Sequence, residues 1–250
     1  RHDDDVKKMN KALAEEGFEY SIIEAYSPKR VTAMGDLLGL MPGMALDLTT
    51  LDTDGKPWDF NDESKKEKAL NMIREKKALL LIGSPMCSAF SQLQHLNFGR
   101  MSPEDVELVK EHGRKHLEFS LQIYRLQHEN GLYFLHEHPL CATSWRIGRI
   151  LDVLAMYGVA TVWCDQCQYG QDGGTEGPVK KPTRWMSNSP ERCHMPKERC
   201  SGNDNRCSRP GGGTHTSCTG KTARMAAICP MKLCKAILQG CRAQLRDDGM

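Results

Sequence analysis

Short apolar segments alternate with longer amphipathic ones up to about residue 165, and this alternation constrains the fold more than any other feature of the sequence. The apolar segments are bounded by glycine, proline or charged residues, as buried strands usually are. The predicted strands are Tyr20–Ala25, Met44–Leu48, Ala78–Ile82, Leu132–Leu135 and Val159–Trp163. Because helical segments separate these strands, we expect an α/β fold with a mostly parallel sheet that is covered on both faces.

The segments between the strands carry helix signals, and the strongest of these is at Ser102. This serine precedes Pro103 and stands three positions before Asp105, so the pattern predicts an N-cap followed by a first-turn proline. The helix that begins there is predicted to end at Asn130-Gly131. Composition and amphipathic spacing predict three further helices, which are Ser64–Lys77, Arg146–Tyr157 and Pro230–Leu245.

The C-terminal third differs from the rest of the chain in charge and in composition. Residues 1–100 carry 14 basic and 16 acidic groups and residues 101–179 carry 6 and 11, whereas residues 180–250 carry 14 and 5. Such a basic region predicts a polyanionic partner. Residues 168–220 are rich in glycine and have hardly any aliphatic side chains. This stretch cannot bury a normal core, so it needs docking, a metal or DNA to order it.

Composition also excludes several classes of protein. The apolar stretches of the 250-residue chain are far shorter than the roughly 18 residues that span a bilayer, and no charged leader followed by an apolar run opens it. We therefore expect an intracellular protein, nuclear or cytoplasmic, that does not enter membranes. The eleven cysteines are odd in number and scattered, which favours free thiols, metal ligands or a catalytic thiol over a disulfide framework.

A thiol and a carboxylate follow neighbouring predicted strands, at the edge where ligands bind in open α/β sheets. Cys87 lies on the turn that follows Gly83-Ser84-Pro85, and Glu137 lies between His136 and His138. A thiol on such a turn can be activated as a thiolate nucleophile, and a carboxyl group beside it can transfer a proton. One interpretation is a thiol enzyme that acts on a small acyl substrate, with Cys87 paired to His136 or His138.

Several segments of the chain resemble the C5-cytosine DNA methyltransferases. Gly83–Ser91 resembles the Pro-Cys nucleophile loop of that family, and His136–Pro139 resembles its Glu-Asn-Val or Glu-Asn-Pro loop. Cys167–Gly170, Lys181–Asn188 and Thr222–Pro230 are similar to segments of divergent members found in phages and mobile elements. These motifs stand in the order of the family, and the resemblance extends over most of the chain, from about Ile22 to Leu238.

The resemblance implies a Rossmann-like sheet of the S-adenosylmethionine-dependent methyltransferase type and a covalent mechanism. The thiolate of Cys87 would attack C6 of a cytosine flipped out of DNA, and Glu137 would hold and protonate N3. The residues implied for the cofactor are Glu24, Tyr26, Ser27, Asp47, Asp59 and Pro85. The residues implied for DNA are Ser88, Lys181, Arg184, Arg192, Arg206 and Arg209.

The resemblance also suggests how the chain is divided. Residues 1–165 would form the catalytic α/β domain, and residues 166–222 a small, irregular, basic Cys/Gly-rich region that recognises DNA. Residues 223–250 would contain a C-terminal helix that returns to the catalytic domain. We expect a monomer. The alternative function is a catalytically degenerate nucleic-acid-binding module with the same fold, stabilised by zinc.

Zinc is a candidate source of order for the cysteine-rich region. Cys164 and Cys167 have the spacing of a metal knuckle, and together with Cys193 and Cys200 they make the predicted ligand set. The gaps of seven positions from Cys193 to Cys200 and on to Cys207 fit no standard zinc finger. The other interpretation is a set of reduced thiols in loops that face DNA.

Overall fold

The computed structural model describes residues 2–76, 78–174, 177–189 and 196–249. Six of its strands are β1 (Tyr20–Ala25), β2 (Pro42–Leu46), β3 (Ala78–Gly83), β4 (Tyr133–Pro139), β5 (Ala160–Asp165) and β6 (Pro182–Ser187). They form one sheet in the order β2-β1-β3-β4-β6-β5. Strands β1 to β4 are parallel, and β6 lies between β4 and β5 and runs antiparallel to both. The predicted α/β fold with a mostly parallel sheet is therefore confirmed.

The α-helices of the described ranges are α1 (His2–Glu15), α2 (Glu63–Lys76), α3 (Gln92–Phe98), α4 (Pro103–Glu129), α5 (Gly148–Leu154), α6 (Gly220–Ala226) and α7 (Met231–Asp247). The cap predicted at Ser102 is confirmed, because its hydroxyl accepts a hydrogen bond from the Asp105 N–H at 3.0 Å. Gly131 takes the left-handed conformation that ends α4. Two very short strands, β7 (Arg206–Cys207) and β8 (Gly213–Thr214), form a separate hairpin. None of these helices is both long and apolar enough to cross a membrane.

The parallel strands send alternate side chains into two apolar layers. Ile23 and Leu81 face the layer that contains buried side chains of α2, α4 and α5. Ile22 and Leu80 face the opposite layer, which contains buried side chains of α1 and α7. Full burial of each such side chain contributes about 1.5–3 kcal/mol, so the two layers together fix the position of the strand ends.

Strand β6 was not expected from the sequence, and it determines where Glu137 lies. The sequence predicts Glu137 in a loop after a strand that ends at Leu135, but β4 continues to Pro139. The reason is pairing with β6, in which Glu137 stands opposite Trp185. The Glu137 side chain is therefore held by the sheet itself. Strand β6 lies within residues 166–222, and the division of the chain into domains stays a prediction.

Candidate active site

The carboxyl ends of β1, β3 and β4 bring the predicted catalytic residues to one edge of the sheet. These strands are adjacent and parallel, so their carboxyl ends meet at the same edge. Tyr26 directly follows β1, Cys87 lies on the turn after β3, and Glu137 lies near the end of β4. This is the edge at which open α/β sheets bind ligands.

Cys87 is held on a short turn that is anchored at both ends. The Ser84 N–H donates to a carbonyl at the end of β1 at 3.2 Å, and the Phe90 N–H donates to the Cys87 carbonyl at 3.0 Å. Between them, the Pro85 carbonyl lies 3.1 Å from the ring nitrogen Nε2 of His138. A short 3-10 helix, Ser88–Phe90, begins directly after Cys87. The sheet therefore positions the thiol through several hydrogen bonds.

The two histidines near this turn are engaged elsewhere. Nδ1 of His138 lies 2.7 Å from the Ser144 hydroxyl, while its Nε2 contacts the Pro85 carbonyl. Nδ1 of His136 lies 3.0 Å from the Tyr124 hydroxyl. Burial lowers the pKa of both rings, so both are neutral near pH 7. Neither histidine is hydrogen-bonded to Cys87, so the Cys-His pair of a thiol enzyme is not formed, and His138 instead positions the Cys87 turn.

Cys87, Glu137 and Lys181 influence one another electrostatically. Burial raises the pKa of the Cys87 thiol, and the negative charge of Glu137 raises it further, while Lys181 acts in the opposite direction. Nζ of Lys181 lies 3.8 Å from Oε1 of Glu137 and donates to the Ala226 carbonyl at 2.9 Å. Burial acts to lower the pKa of Lys181, but the negative charge of Glu137 and those of the nearby thiols of Cys229, Cys87 and Cys218 together raise it. Lys181 was predicted to contact DNA, and the structure places it beside Glu137.

One oxygen of Glu137 is available to a ligand. Oε1 is buried and accepts no hydrogen bond from any residue that the structure describes. Lys181 is within ion-pair range of this oxygen but beyond hydrogen-bond distance. A buried carboxylate oxygen without a donor is costly, and a donor on a bound molecule would satisfy it. Glu137 is therefore suited to hold a protonated ring nitrogen.

A cavity of about 230 Å³ adjoins the Cys87 turn. Three of the predicted cofactor residues, Tyr26, Asp47 and Asp59, line it. Its other lining residues include Trp58, Phe60, Ser84, Met86 and His116. A mostly apolar and aromatic wall with a few polar groups is typical of sites for small molecules.

Asp47 and Asp59 each leave one carboxylate oxygen to this cavity. Oδ1 of Asp47 accepts from the Thr49 N–H at 2.9 Å and from the Thr49 hydroxyl at 2.6 Å. Oδ1 of Asp59 accepts from the backbone and side-chain amides of Asn61 at 2.9 and 2.8 Å. These bonds fix the two carboxylates and leave Oδ2 of each to accept from hydroxyl or amine donors.

Glu24 acts differently from the prediction that it binds a cofactor. Its buried carboxylate accepts hydrogen bonds of 2.8–3.2 Å from the Arg30 N–H, from the N–H and hydroxyl of Thr32 and from the Ser27 hydroxyl. Burial raises the pKa of Glu24, and these hydrogen bonds act against that rise. Both oxygens are taken up in holding the loop after β1. Glu24 and Ser27 therefore organise this loop, and Pro85 contributes the carbonyl that His138 contacts.

Three of the predicted DNA contacts lie on accessible surface. Ser88 is exposed next to Cys87, and Arg206 is exposed on β7. Arg184 is half-buried, with its guanidinium 4.6 Å from the centre of the Trp145 ring. It also donates to the Thr161 hydroxyl at 3.0 Å. These three side chains are accessible to a ligand.

Arg209, another predicted DNA contact, is engaged within the protein. Arg209 is largely buried, forms an ion pair with Asp172 and donates to the Cys167 carbonyl at 3.3 Å. Its guanidinium therefore holds the cysteine-rich region together, which corrects the prediction that it contacts phosphate. Arg192 lies outside the described residues.

The predicted metal ligands do not form one group. Cys164 is buried in the sheet, where its sulfur accepts a hydrogen bond from the Trp185 indole N–H at 3.3 Å. Burial raises the pKa of Cys164 to about 12. The predicted knuckle of Cys164 and Cys167 is wrong, because Cys164 belongs to β5 while Cys167 lies beyond the strand end. Cys167 and Cys200 do lie together, and Cys193 is outside the described residues.

No known protein-family model matches this chain, and no curated protein matches it either. The site is therefore interpreted from its own geometry. Two roles were missed at the level of sequence, that of His138 as the anchor of the Cys87 turn and that of Lys181 as the ionic partner of Glu137. The sequence signal for His138 was its place next to Glu137 in the strand, whereas Lys181 carried no local signal for its role.

Proposed function

We propose that this protein transfers a methyl group to C5 of cytosine in DNA, with Cys87 as the nucleophile and Glu137 as the acid. The observation that carries the proposal is a thiol and a buried carboxylate, electrostatically coupled, at the adjacent carboxyl ends of β3 and β4. Addition to a pyrimidine ring needs both groups. A thiolate must bond to C6, and an acid must neutralise the charge that develops on the ring.

In this proposal one proton moves from the thiol of Cys87 to the carboxylate of Glu137. The pKa of the Cys87 thiol is raised in the free protein, in part because Glu137 is charged. When the thiol proton moves to Glu137, that charge disappears and a thiolate remains beside a carboxylic acid. This protonation state, a thiolate beside a carboxylic acid, is the one that addition requires. The charge of Lys181 favours the thiolate.

The reaction steps follow from this pair. Sγ of Cys87 bonds to C6 of the flipped cytosine, the C5–C6 π electrons shift to C5, and Glu137 donates its proton to N3. C5 would then take the methyl group supplied by bound S-adenosylmethionine, with the electron pair of the broken S–CH₃ bond staying on the released S-adenosylhomocysteine. A base removes the C5 proton, the double bond forms again as the thiolate of Cys87 leaves, and N3 returns its proton to Glu137.

The cavity beside the Cys87 turn is lined by carboxylates and aromatic rings, which are groups that can bind S-adenosylmethionine. When bound, this cofactor supplies a methyl group activated by a sulfonium charge. Oδ2 of Asp47 and of Asp59 would accept from hydroxyl and amine donors, and the rings of Trp58 and Phe60 would contact a heterocycle or a cation. Met86 lines the cavity and precedes Cys87, so a molecule bound there lies next to the nucleophile.

DNA would approach from the outer side of the site. Ser88 is exposed beside Cys87, and Arg184 and Arg206 lie on accessible surface. The 14 basic against 5 acidic groups of residues 180–250 favour contact with phosphate. Binding that involves such contacts weakens steeply as salt rises.

The test is covalent trapping. The protein is incubated with labelled S-adenosylmethionine and duplex DNA that carries 5-fluorocytosine, because fluorine at C5 cannot leave as a proton does and the adduct persists. We expect a labelled protein–DNA adduct with the wild type and none with Cys87→Ala. Cys141→Ala is the matched control, since Cys141 is an exposed thiol outside the Cys87 turn. Absence of both adduct and methyl transfer from folded wild-type protein would contradict the proposal.

The second candidate function is a non-catalytic nucleic-acid-binding module. The size of the cavity favours it, because about 230 Å³ is below the roughly 300–1,000 Å³ that is typical of ligand pockets. Salt-dependent binding of DNA without adduct or methyl transfer in the same experiment would assign this function.

A further inference from the structure

We propose that Cys167, Cys200, Cys207 and His215 bind a structural Zn²⁺ ion. Their ligand atoms all lie within 4.8 Å of one another, and Sγ of Cys200 is 3.6 Å from Nε2 of His215. A tetrahedral site with Zn–S bonds of about 2.3 Å places its ligand sulfurs about 3.8 Å apart. The four side chains are thus already close to the separation that a tetrahedral ion requires.

The four ligands come from two different parts of the fold. Cys167 is fully buried in the 3-10 helix Gln166–Tyr169, which directly follows strand β5 of the main sheet. The other three ligands belong to a segment of residues 197–220, called here the cysteine segment. Cys207 lies on β7, and His215 directly follows β8. A shared ion would therefore attach the β7–β8 hairpin to the end of β5.

The cysteine segment has no other means of forming a core. It contains no Val, Leu, Ile, Met, Phe, Tyr or Trp, and none of its residues is buried. Its two strands have two residues each. Burial of apolar surface therefore contributes almost nothing to its order, and small segments of this kind are usually stabilised by a metal or by disulfides. Metal binding supplies folding free energy in such cases.

Hydrogen bonds around the sulfurs fit ligated thiolates. The N–H and the hydroxyl of Ser208 donate to Sγ of Cys200 at 3.4 and 3.5 Å. Nε2 of Gln168 lies 3.5 Å from Sγ of Cys167 and 3.7 Å from Sγ of Cys207. Donors that point at a sulfur stabilise its negative charge and orient it towards a metal.

The kind of ligand selects the kind of ion. Three thiolates and one imidazole are soft or borderline donors, which bind Zn²⁺ well and Mg²⁺ or Ca²⁺ poorly. Four protein ligands leave no open position for water or substrate, so the site is structural. Neither Cys87 nor Glu137 belongs to this cluster, and the zinc proposal does not depend on the proposed methyl transfer.

The first test is metal analysis of protein that is purified under reducing conditions with zinc present. We expect one zinc ion per chain in the wild type and a small fraction of this in Cys207→Ser. Two variants should retain the metal. His215→Cys keeps a ligating side chain at the fourth position, and Cys218→Ser removes a nearby thiol that is not part of the cluster.

Cobalt provides a second measurement that needs no variant. Titration of metal-free wild-type protein with Co²⁺ should produce the strong visible absorption of a tetrahedral, thiolate-rich site at one equivalent, and Zn²⁺ should displace it. Folded protein without stoichiometric zinc and without this absorption would overturn the proposal. So would a disulfide from Cys167 to Cys200 or Cys207 in the non-reduced protein, or an equal loss of zinc in Cys218→Ser and Cys207→Ser.

Discussion

The main sheet and the cysteine segment order their reactive thiols in different ways. In the sheet, every residue of β3 is buried, and the turn that carries Cys87 is fixed by hydrogen bonds to β1 and to His138. In the cysteine segment no residue is buried, and two of its cysteines and a histidine converge on the buried Cys167 instead. Apolar packing therefore positions the first thiol, whereas the second group is positioned by contacts among the polar and sulfur-bearing side chains themselves.

The two environments also have opposite effects on the thiols. Burial and the charge of Glu137 raise the pKa of Cys87. For Cys200, burial acts to raise the pKa, but the hydrogen bonds from Ser208 outweigh it and lower the pKa to about 6. A raised pKa keeps the Cys87 thiol protonated until Glu137 takes its proton. This suits a nucleophile that becomes a thiolate only during the reaction. A thiol that accepts several hydrogen bonds is instead stabilised in its thiolate form.

The largest expected effect is on the chemistry at the sheet edge. Glu137→Gln removes the proposed acid for N3, so methyl transfer should fall by about 10²–10⁴-fold, which is the usual contribution of a general acid. Zinc content should stay unchanged and the fold should be kept, because the amide has the same shape, but the unfolding midpoint should fall because Lys181 loses its ionic partner. Transfer is measured with labelled S-adenosylmethionine, and Glu129→Gln, at an exposed glutamate, is the control. A variant that transfers methyl groups at the wild-type rate would show that Glu137 is not the acid.

The next effect tests close packing in the main sheet. A Cβ on Gly83 would overlap the Tyr124 hydroxyl, which contacts His136. Gly83→Ala should therefore reduce the free energy of unfolding by about 1–3 kcal/mol, as overpacking does. A Cβ on Gly148 meets no heavy atom within 4 Å, so Gly148→Ala should change the free energy of unfolding by less than about 0.5 kcal/mol. Urea unfolding measures both, and equal midpoints would show that the site edge is loosely packed.

A smaller effect is expected when the metal is removed from the cysteine segment. Removal of zinc with a chelator should make trypsin cleave after the exposed residues Arg199 and Arg206 about tenfold faster or more. The reason is that local unfolding of the segment then requires less free energy. Cleavage within the main sheet should not change, and Trp185, fully buried there, should keep its fluorescence. Fragment masses identify the cut sites. Cleavage that spreads through the whole chain at once would mean that the two regions unfold together.

The sequence was sufficient to predict the parts of the fold that depend on local pattern. Strand β1 begins and ends where its apolar run does, and the capping residues at Ser102 start α4. Strand β6 was missed, because Pro182–Ser187 gains its strand character from pairing with β4 and β5. That pairing in turn extends β4 through Glu137.

The two candidate sites differ in how far they could be predicted. Cys87 follows β3 and Glu137 lies near the end of the adjacent parallel strand β4, so their proximity follows from topology. The proposed zinc ligands join Cys167, which lies just beyond β5, to His215, which lies just beyond β8, through contacts that no local spacing encodes. The predicted pair of Cys164 and Cys167 was wrong because the end of β5 separates them. Cys164 lies within the strand, whereas Cys167 lies beyond it.

The smallest expected effect is on the rate at which iodoacetamide alkylates Cys87. The pH dependence of this rate tests the charges around that thiol. Because the pKa of Cys87 is raised, its alkylation rate should still increase with pH where that of a free thiol such as glutathione has levelled off. Glu137→Gln removes a negative charge, lowers the pKa of Cys87 and shifts this profile to lower pH. Lys181→Met removes a positive charge and shifts it to higher pH. Mass spectrometry of the Cys87 peptide measures each profile. Shifts in the same direction in both variants would contradict the opposite effects of Glu137 and Lys181 on Cys87, on which the proposed proton transfer depends.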